Sequence, residues 1–281
     1  MTNPACQKWI CDVLVCVEHN DLIGFQDLVP RFVHQEGEIA VLGLVVKHGR
    51  GMMLEHLLAN GHGFAMRDVG GALEKGASHG QVETVSRLLE WANTHNHCIQ
   101  KKPYAWAVAV GAVRSDTPEL LERHWAQIKD LPSDLFNGIY SIAAQADAVN
   151  VLGFLFAKNP KGMRHHWLNA VGRACAQLKF RALSHLLKTA PHTHSTETET
   201  TAGNCLLELL RKHDLRQTQT QETVYVLLEH ITIDAFGKRF KNKIHVSTLQ
   251  HLEEIYTRRQ RDILVDAIEH SGARLPSQRK I

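Results

Sequence analysis

The side chains able to do chemistry in this chain fall into four groups. His95-Asn96-His97-Cys98 and His192-Thr193-His194 carry metal-ligating residue types at short spacing. A structural zinc site takes four ligands, as a rule two separated pairs. The His-x-His-Cys cluster supplies three only if its loop folds back. Both stretches, and His165-His166 with them, therefore read as polar loops, and no metal is expected. Cys98 beside His95 and His97 sets a nucleophile next to two bases, but a catalytic triad needs partners that converge in space, not in sequence. GxSxG, HExxH, GxxxxGK[ST] and GxGxxG are all absent. Neither enzymatic activity nor a cofactor is expected.

The third group is cationic. Lys238, Arg239, Lys241 and Lys243 surround Phe240, and Arg258, Arg259 and Arg261 follow. Residues 236–281 hold ten Lys/Arg and five Asp/Glu, a net +5 against +3 for the whole chain. This asymmetry fits contact with nucleic acid or an acidic partner. It equally fits a capping repeat, which needs a polar outer face.

The fourth group is aromatic with basic neighbours. Lys101, Lys102, Tyr104 and Trp106 form one cluster, and Arg164, His165, His166 and Trp167 another, with Leu135-Phe136 between them. Tyr104, Leu135 and Trp167 are 31 and 32 residues apart, so they hold equivalent places in a repeat. Aromatic anchors beside Arg suit a partner-binding edge. The other reading is that these rings staple each helix start into the core.

The elements that would position these groups come from an internal repeat. Leu42–Leu58 aligns without gaps on Leu73–Leu89 at an offset of 31, placing His48-Gly49 on His79-Gly80 and Leu57-Leu58 on Leu88-Leu89. Each segment reads as an apolar helix, a Gly-centred turn and an amphipathic helix ending in a Leu pair. Weaker copies are Trp9–Glu18 with Leu22–Val33, Tyr104–Val113 with Pro118–Ile128, Leu135–Gln145 with Ala148–Ala157, and Trp167–Gln177 with Phe180–Thr189. Cys205–His213 with Glu222–Ile231, and Val246–Arg258 with Arg261–His270, continue the series, about eight hairpins in all. Small residues such as Ala105, Ala107, Ala109, Gly111 and Ala112 should pack the first helices together. Val13–Val17 and Val41–Val46 are β-branched, but they sit in a frame that wants helix.

At this point the chain resembles the ankyrin repeat family. Gly80-Gln81-Val82-Glu83-Thr84-Val85-Ser86-Arg87-Leu88-Leu89 follows that family's second-helix pattern, and Gly49 to Leu58 with Ala59-Asn60-Gly61 keeps its Gly and Leu-Leu positions. The family's Thr-Pro-Leu-His opening is reduced to the Leu of Gly71-Ala72-Leu73-Glu74. The match is best over residues 40–92 and looser beyond. It implies stacked hairpins that share a continuous core and a role in binding other proteins. Degenerate arrays of this kind resemble those of bacterial effectors and viral proteins that bind host machinery.

Composition agrees with a folded chain. Of 281 residues, 44% are hydrophobic and 22% charged, enough to bury a core. No apolar run is long enough to span a membrane, and the polar Met1–Lys8 does not read as a signal peptide. The six cysteines show no CxxC spacing, so a disulfide framework is not expected and a reducing, cytoplasmic or otherwise intracellular compartment is. Pro191–Gly203, rich in Thr, Ser and Glu, stretches the repeat and reads as an exposed, dispensable loop between an array over 1–190 and a basic C-terminal part over 204–281.

The expectation is an all-α, ankyrin-like α-solenoid. It would act as a non-catalytic protein-interaction scaffold, an effector or inhibitor, binding along a concave face. A nucleic-acid- or nucleoprotein-binding factor using the basic C-terminal region is the alternative, and an enzyme hidden in the array the third reading. The oligomeric state is left open.

Overall fold

The computed structural model describes residues 4–29, 35–60, 64–95, 101–159, 163–190 and 195–270. Among them the protein is all-α, with seventeen helices and no strand. The β-branched runs are helical, because their neighbours keep a helical apolar period and Val13, Val17, Val41, Val45 and Val46 are all buried. The chain divides into two compact units, Met1–Gly162 and Met163–Ile281.

The first unit is built from helix pairs: α1 (Pro4–His19) with α2 (Leu22–Leu28), α3 (Gln35–Lys47) with α4 (Gly51–Ala59), and α5 (Met66–Ser78) with α6 (Val82–His95). The next pair is α7 (Lys101–Ser115) with α8 (Pro118–Arg123) and α9 (Trp125–Ile128), and the last is α10 (Ser133–Ala146) with α11 (Val149–Lys158). First helices pack on first helices in chain order, α1 on α3, α3 on α5, α5 on α7 and α7 on α10. Second helices follow, α2 on α4 and α4 on α6. The α3–α5–α7 layer is drawn together at two glycines. A Cβ on Gly76 would stand 2.4 Å from Val46 Cγ1, and one on Gly111 would stand 2.4 Å from Ala77 Cβ and 2.7 Å from the Glu74 carbonyl oxygen. Ala105, Ala107, Ala109 and Ala112 are buried beside them, as their size suggested.

One turn recurs. Asn20, Gly49, Gly80, Asp116, Asp147 and Leu178 all have φ between 50° and 69°. After each, the next N–H reaches five residues back, as from Arg50 to Val45, Thr117 to Ala112, and Lys179 to Ala174. This is the Schellman closure, in which one left-handed residue stops a helix and satisfies its last carbonyls. Its copies fall 29 to 36 residues apart, which is the repeat made physical.

The second unit contains α12 (Met163–Ala176), α13 (Phe180–Lys188), α14 (Ser195–Lys212), α15 (Thr218–Leu228), α16 (Ile233–Arg239) and α17 (Val246–His270). Helix α15 is buried almost all round and packs on α13, α14 and α17.

Three expectations change. Residues 195–203 are not a loop but the first half of α14, with Ala202 and Gly203 buried. The Thr-Glu run is the polar start of an amphipathic helix whose anchors, Leu206, Leu207 and Leu209, lie further on. Pro191–His194 lies outside the described residues. The Val246–Arg258 and Arg261–His270 hairpin is one continuous 25-residue helix, α17, because Thr257-Arg258-Arg259-Gln260-Arg261 holds no Gly, Pro or cap to stop it. The stretch Pro118–Ile128 breaks into α8 and α9 at His124.

Candidate functional site

The aromatic edge lies largely in the core. Trp167 is 2% exposed and its Nε1–H donates to the Leu186 carbonyl at 2.7 Å. Tyr104 is 3% exposed. Trp106 is half-buried, its ring 3.4 Å from where a Gly138 Cβ would stand. Phe136 is half-buried, edge-on to Trp125 and Tyr140. The staple reading describes these rings: Tyr104 is buried, Trp167 bonds across its own helix pair, and Trp106 and Phe136 reach a neighbouring pair. Their basic companions are spread out. Lys102 and His165 are exposed, and Arg164 is exposed and ion-paired to Glu197 at 2.8 Å. His166 is buried, which pushes its pKa down, with His165 adding to the effect. Lys101 starts α7, but its side chain lies outside the described residues.

The cationic set also separates. Lys238, Arg239, Lys241 and Lys243 are exposed at the end of α16 and in the turn after it. Arg259 is committed to the fold, paired with Glu222 at 3.3 Å and lying over the Tyr225 ring. Arg258 and Arg261 line a groove of about 710 Å³ on α17, together with Glu253 and Glu254, so that surface mixes signs.

His95 stacks on Trp91, with ring centroids 4.9 Å apart. His97, Cys98, His192 and His194 lie outside the described residues. Among the described residues no group of three or more His, Cys, Asp or Glu side chains is arranged to hold a metal ion, and no helix is long and apolar enough to cross a membrane.

Three arrangements escaped the sequence reading. The first is a buried Ser–His pair. Ser86 Oγ donates to the Val82 carbonyl at 2.9 Å, and His124 Nε2 lies 3.1 Å from that oxygen. The hydroxyl proton is already used, so the imidazole donates. A nucleophile would need the reverse polarity. Burial first, then Arg123, lowers the His124 pKa and keeps the ring neutral. The second is a pair of cysteines, Cys175 and Cys205, brought together by α12 and α14. No sequence spacing announces either pair, since each spans two repeats.

The third is a row of exposed residues. Each sits three places after a left-handed turn residue, second in the helix that follows. In the first unit the row runs Ile23, Met52, Glu83, Glu119, Asn150, and all five are exposed. Ile23 is 75% exposed and Met52 62%, on helices α2 and α4, which pack side by side. Glu83 and Glu119 complement the positive end of a helix dipole. Ile23 and Met52 do not. Glu83 is further held by Arg123 and Arg87, whose hydrogen bonds lower its pKa, and Arg87 also meets Glu55. A charged ladder thus runs from α4 through α6 to α8. This row was within reach of the sequence: once His48-Gly49 and His79-Gly80 fix the turn, its position is the third residue beyond each glycine. No protein-family model, no curated protein and no solved structure matches the chain.

Proposed function

We propose that this chain is a non-catalytic protein-interaction scaffold, built in its first unit as an ankyrin-like array of helical pairs. The observation that carries the reading is the exposure of Ile23 and Met52 at equivalent places in a repeated frame. An apolar side chain at the first turn of a helix adds nothing to the cap or the dipole, and left in water it gains no burial. Beyond these two the same row carries Glu83, Glu119 and Asn150, and a groove of about 500 Å³ opens beside Asp116, Glu119 and Glu122. An apolar anchor followed by a carboxylate-rich stretch suits a partner segment with a hydrophobic end and a basic continuation. Aromatic or aliphatic anchors carry most of such binding energy and flanking charges steer encounter. This face replaces the buried aromatic edge as the expected contact surface. The neutral, donating His124 beside Ser86 supports a role without chemistry.

The test is a tagged full chain carrying Ile23→Asp with Met52→Asp. Both residues are exposed, so its melting temperature should stay close to the parent. A partner that copurifies with the parent should lose about 2 kcal/mol or more of affinity, while Lys238→Glu with Lys241→Glu keeps it. The reading fails if the partner's affinity is the same for the apolar-row variant and the parent. A nucleic-acid role keeps one favourable observation, the four exposed cations from Lys238 to Lys243. An oligonucleotide affinity that falls steeply with salt and is lost in the Lys238/Lys241 variant would favour it.

A further inference from the structure

The second unit holds a feature that a passive scaffold has no use for. Helices α12 and α14 bring Cys175 and Cys205 together at the floor of a cavity of about 240 Å³. Cys175 is 4% exposed and its S–H donates to the Cys205 carbonyl oxygen at 3.6 Å. Cys205 is half-buried, and the rim residues Gly172, Ala176, Glu208 and Lys212 are exposed, so the cavity opens to solvent. Its size admits a molecule of a few heavy atoms and excludes a bulky thiol such as a tripeptide.

We infer that this cavity is a thiol oxidation site, at which a small hydroperoxide converts Cys175 and Cys205 into a disulfide. The two sulfurs have distinct roles. Cys205 is the more exposed of the two, and the neighbouring Cys175 thiol draws its pKa down against the opposing effect of burial. Cys175 is buried with its proton held by the Cys205 carbonyl, and the neighbouring thiol and burial push its pKa up. Cys205 is therefore the attacking sulfur and Cys175 the resolving one. The Cys205 thiolate attacks one peroxide oxygen, the O–O bond breaks, hydroxide leaves, and Cys205 becomes a sulfenic acid. Cys175 then attacks that sulfur, the S–O bond breaks, and the departing hydroxide takes the Cys175 proton as water. The proton released when Cys205 ionised neutralises the first hydroxide. In sum, two thiols and one hydrogen peroxide give one disulfide and two waters. The bond would tie the first helix of the unit to its third across a sequence separation of 30, and so fix the α12–α14 contact.

The experiment treats the reduced full chain with one equivalent of hydrogen peroxide and maps tryptic peptides. Residues 174–179 and 189–211 should appear as one disulfide-linked species that reductant separates. Cys205 should be oxidised ahead of the exposed Cys11, since the cavity holds the peroxide against its sulfur. Cys175→Ser should stop the reaction at a Cys205 sulfenic acid that dimedone captures, and Cys205→Ser should leave Cys175 alkylatable. Cys→Ala versions serve if a serine disturbs packing, and the map of the parent decides by itself. The inference is overturned if both thiols stay alkylatable while Cys11 is oxidised. It is equally overturned if Cys205 links to any cysteine other than Cys175 of its own chain, or if the parent ends at sulfinic acid without a linkage.

Discussion

The helices of the first unit and those of the second approach each other differently. Between α3, α5 and α7 the helices meet at Gly76, Gly111 and a row of alanines, so backbone lies almost on backbone and no room is left. Between α12, α13 and α14, Ala170, Ala174, Ala182 and Ala202 are buried as well, but Trp167, leucines and a cysteine pair fill the space beside them, and a cavity remains. Close helix approach through small residues gives dispersion contact everywhere and leaves no space for a ligand. Large side chains bridge wider gaps but cannot tile them fully. The difference teaches where reactivity can reside in such a molecule. The tightly zipped unit offers its outer surface, the row of turn-adjacent side chains and the groove beside Glu119, whereas the looser one can admit a small molecule to a buried thiol.

Truncating the bridge should have the largest effect. Trp167→Ala removes a fully buried indole and the donor to the Leu186 carbonyl, and should cost about 3–5 kcal/mol of stability, read from denaturant unfolding. A change near zero would mean that Trp167 is not part of the core, and would restore the aromatic edge as a contact surface. The converse test crowds the zipper. Gly111→Val puts methyls where Ala77 and the Glu74 carbonyl already stand, and should cost about 1–3 kcal/mol. The same substitution at Gly172, where a Cβ meets nothing within 4 Å, should be neutral or stabilising by roughly 0.3 kcal/mol, because valine has the higher helix propensity. Equal losses at the two positions would erase the contrast between the units.

These positions also mark how far the sequence was legible. The pairs were readable because Leu57-Leu58, Leu88-Leu89 and Leu186-Leu187 recur in phase, and each is a stretch of core. The turns were readable where they use Gly49 and Gly80, less so at Asp116 and Asp147, and not at Leu178, where nothing in the residue type signals a positive φ. The Thr-Glu start of α14 misled because composition was weighed over a stretch too short to show the leucines that anchor it. Tyr104 and Trp167 share a phase and are both interior, whereas Leu135, at the equivalent place between them, is 37% exposed, so repeat phase alone does not set the environment. Ser86 with His124 and Cys175 with Cys205 were invisible, since helices from different pairs supply the two partners.

The Ser86–His124 pair belongs to the zipped unit and should behave as structure. Ser86→Ala leaves the buried imidazole N–H without its oxygen and should cost about 1–3 kcal/mol. The His124 pKa is lowered on folding, so the unfolded chain binds the proton more readily. Its contribution is therefore complete above the ordinary histidine value of 6.5 and is lost as pH falls below it towards the folded-state value. His166 and His230 are lowered too, both chiefly by burial, and act in the same direction. Unfolding measured from pH 7.5 to 5 should show falling stability, with a shallower slope in His124→Gln. A parent whose stability is flat across that range would refute the assignment.

The smallest expected effect compares the one turn that both units share. In the first unit Gly80 holds φ at 69° with no steric cost, while in the second Leu178 holds 55° with a Cβ against the following carbonyl. That clash is worth about 1–2 kcal/mol for an ordinary L-residue. Replacing Leu178 by Gly relieves it, but lengthens the list of conformations open to the unfolded chain, worth about 0.5–1 kcal/mol in the other direction. Leu178 is half-buried, so some apolar contact is lost as well. The net should be a stabilisation below about 1 kcal/mol. Gly80→Ala takes on the steric cost with little burial to offset it and should destabilise by about 1 kcal/mol. Opposite signs from the two exchanges, measured by chemical denaturation, would show that the same closure operates in both units and that only its residue differs. A Leu178→Gly variant as destabilised as Gly80→Ala would mean that side-chain packing, not the left-handed backbone, holds the turn before α13.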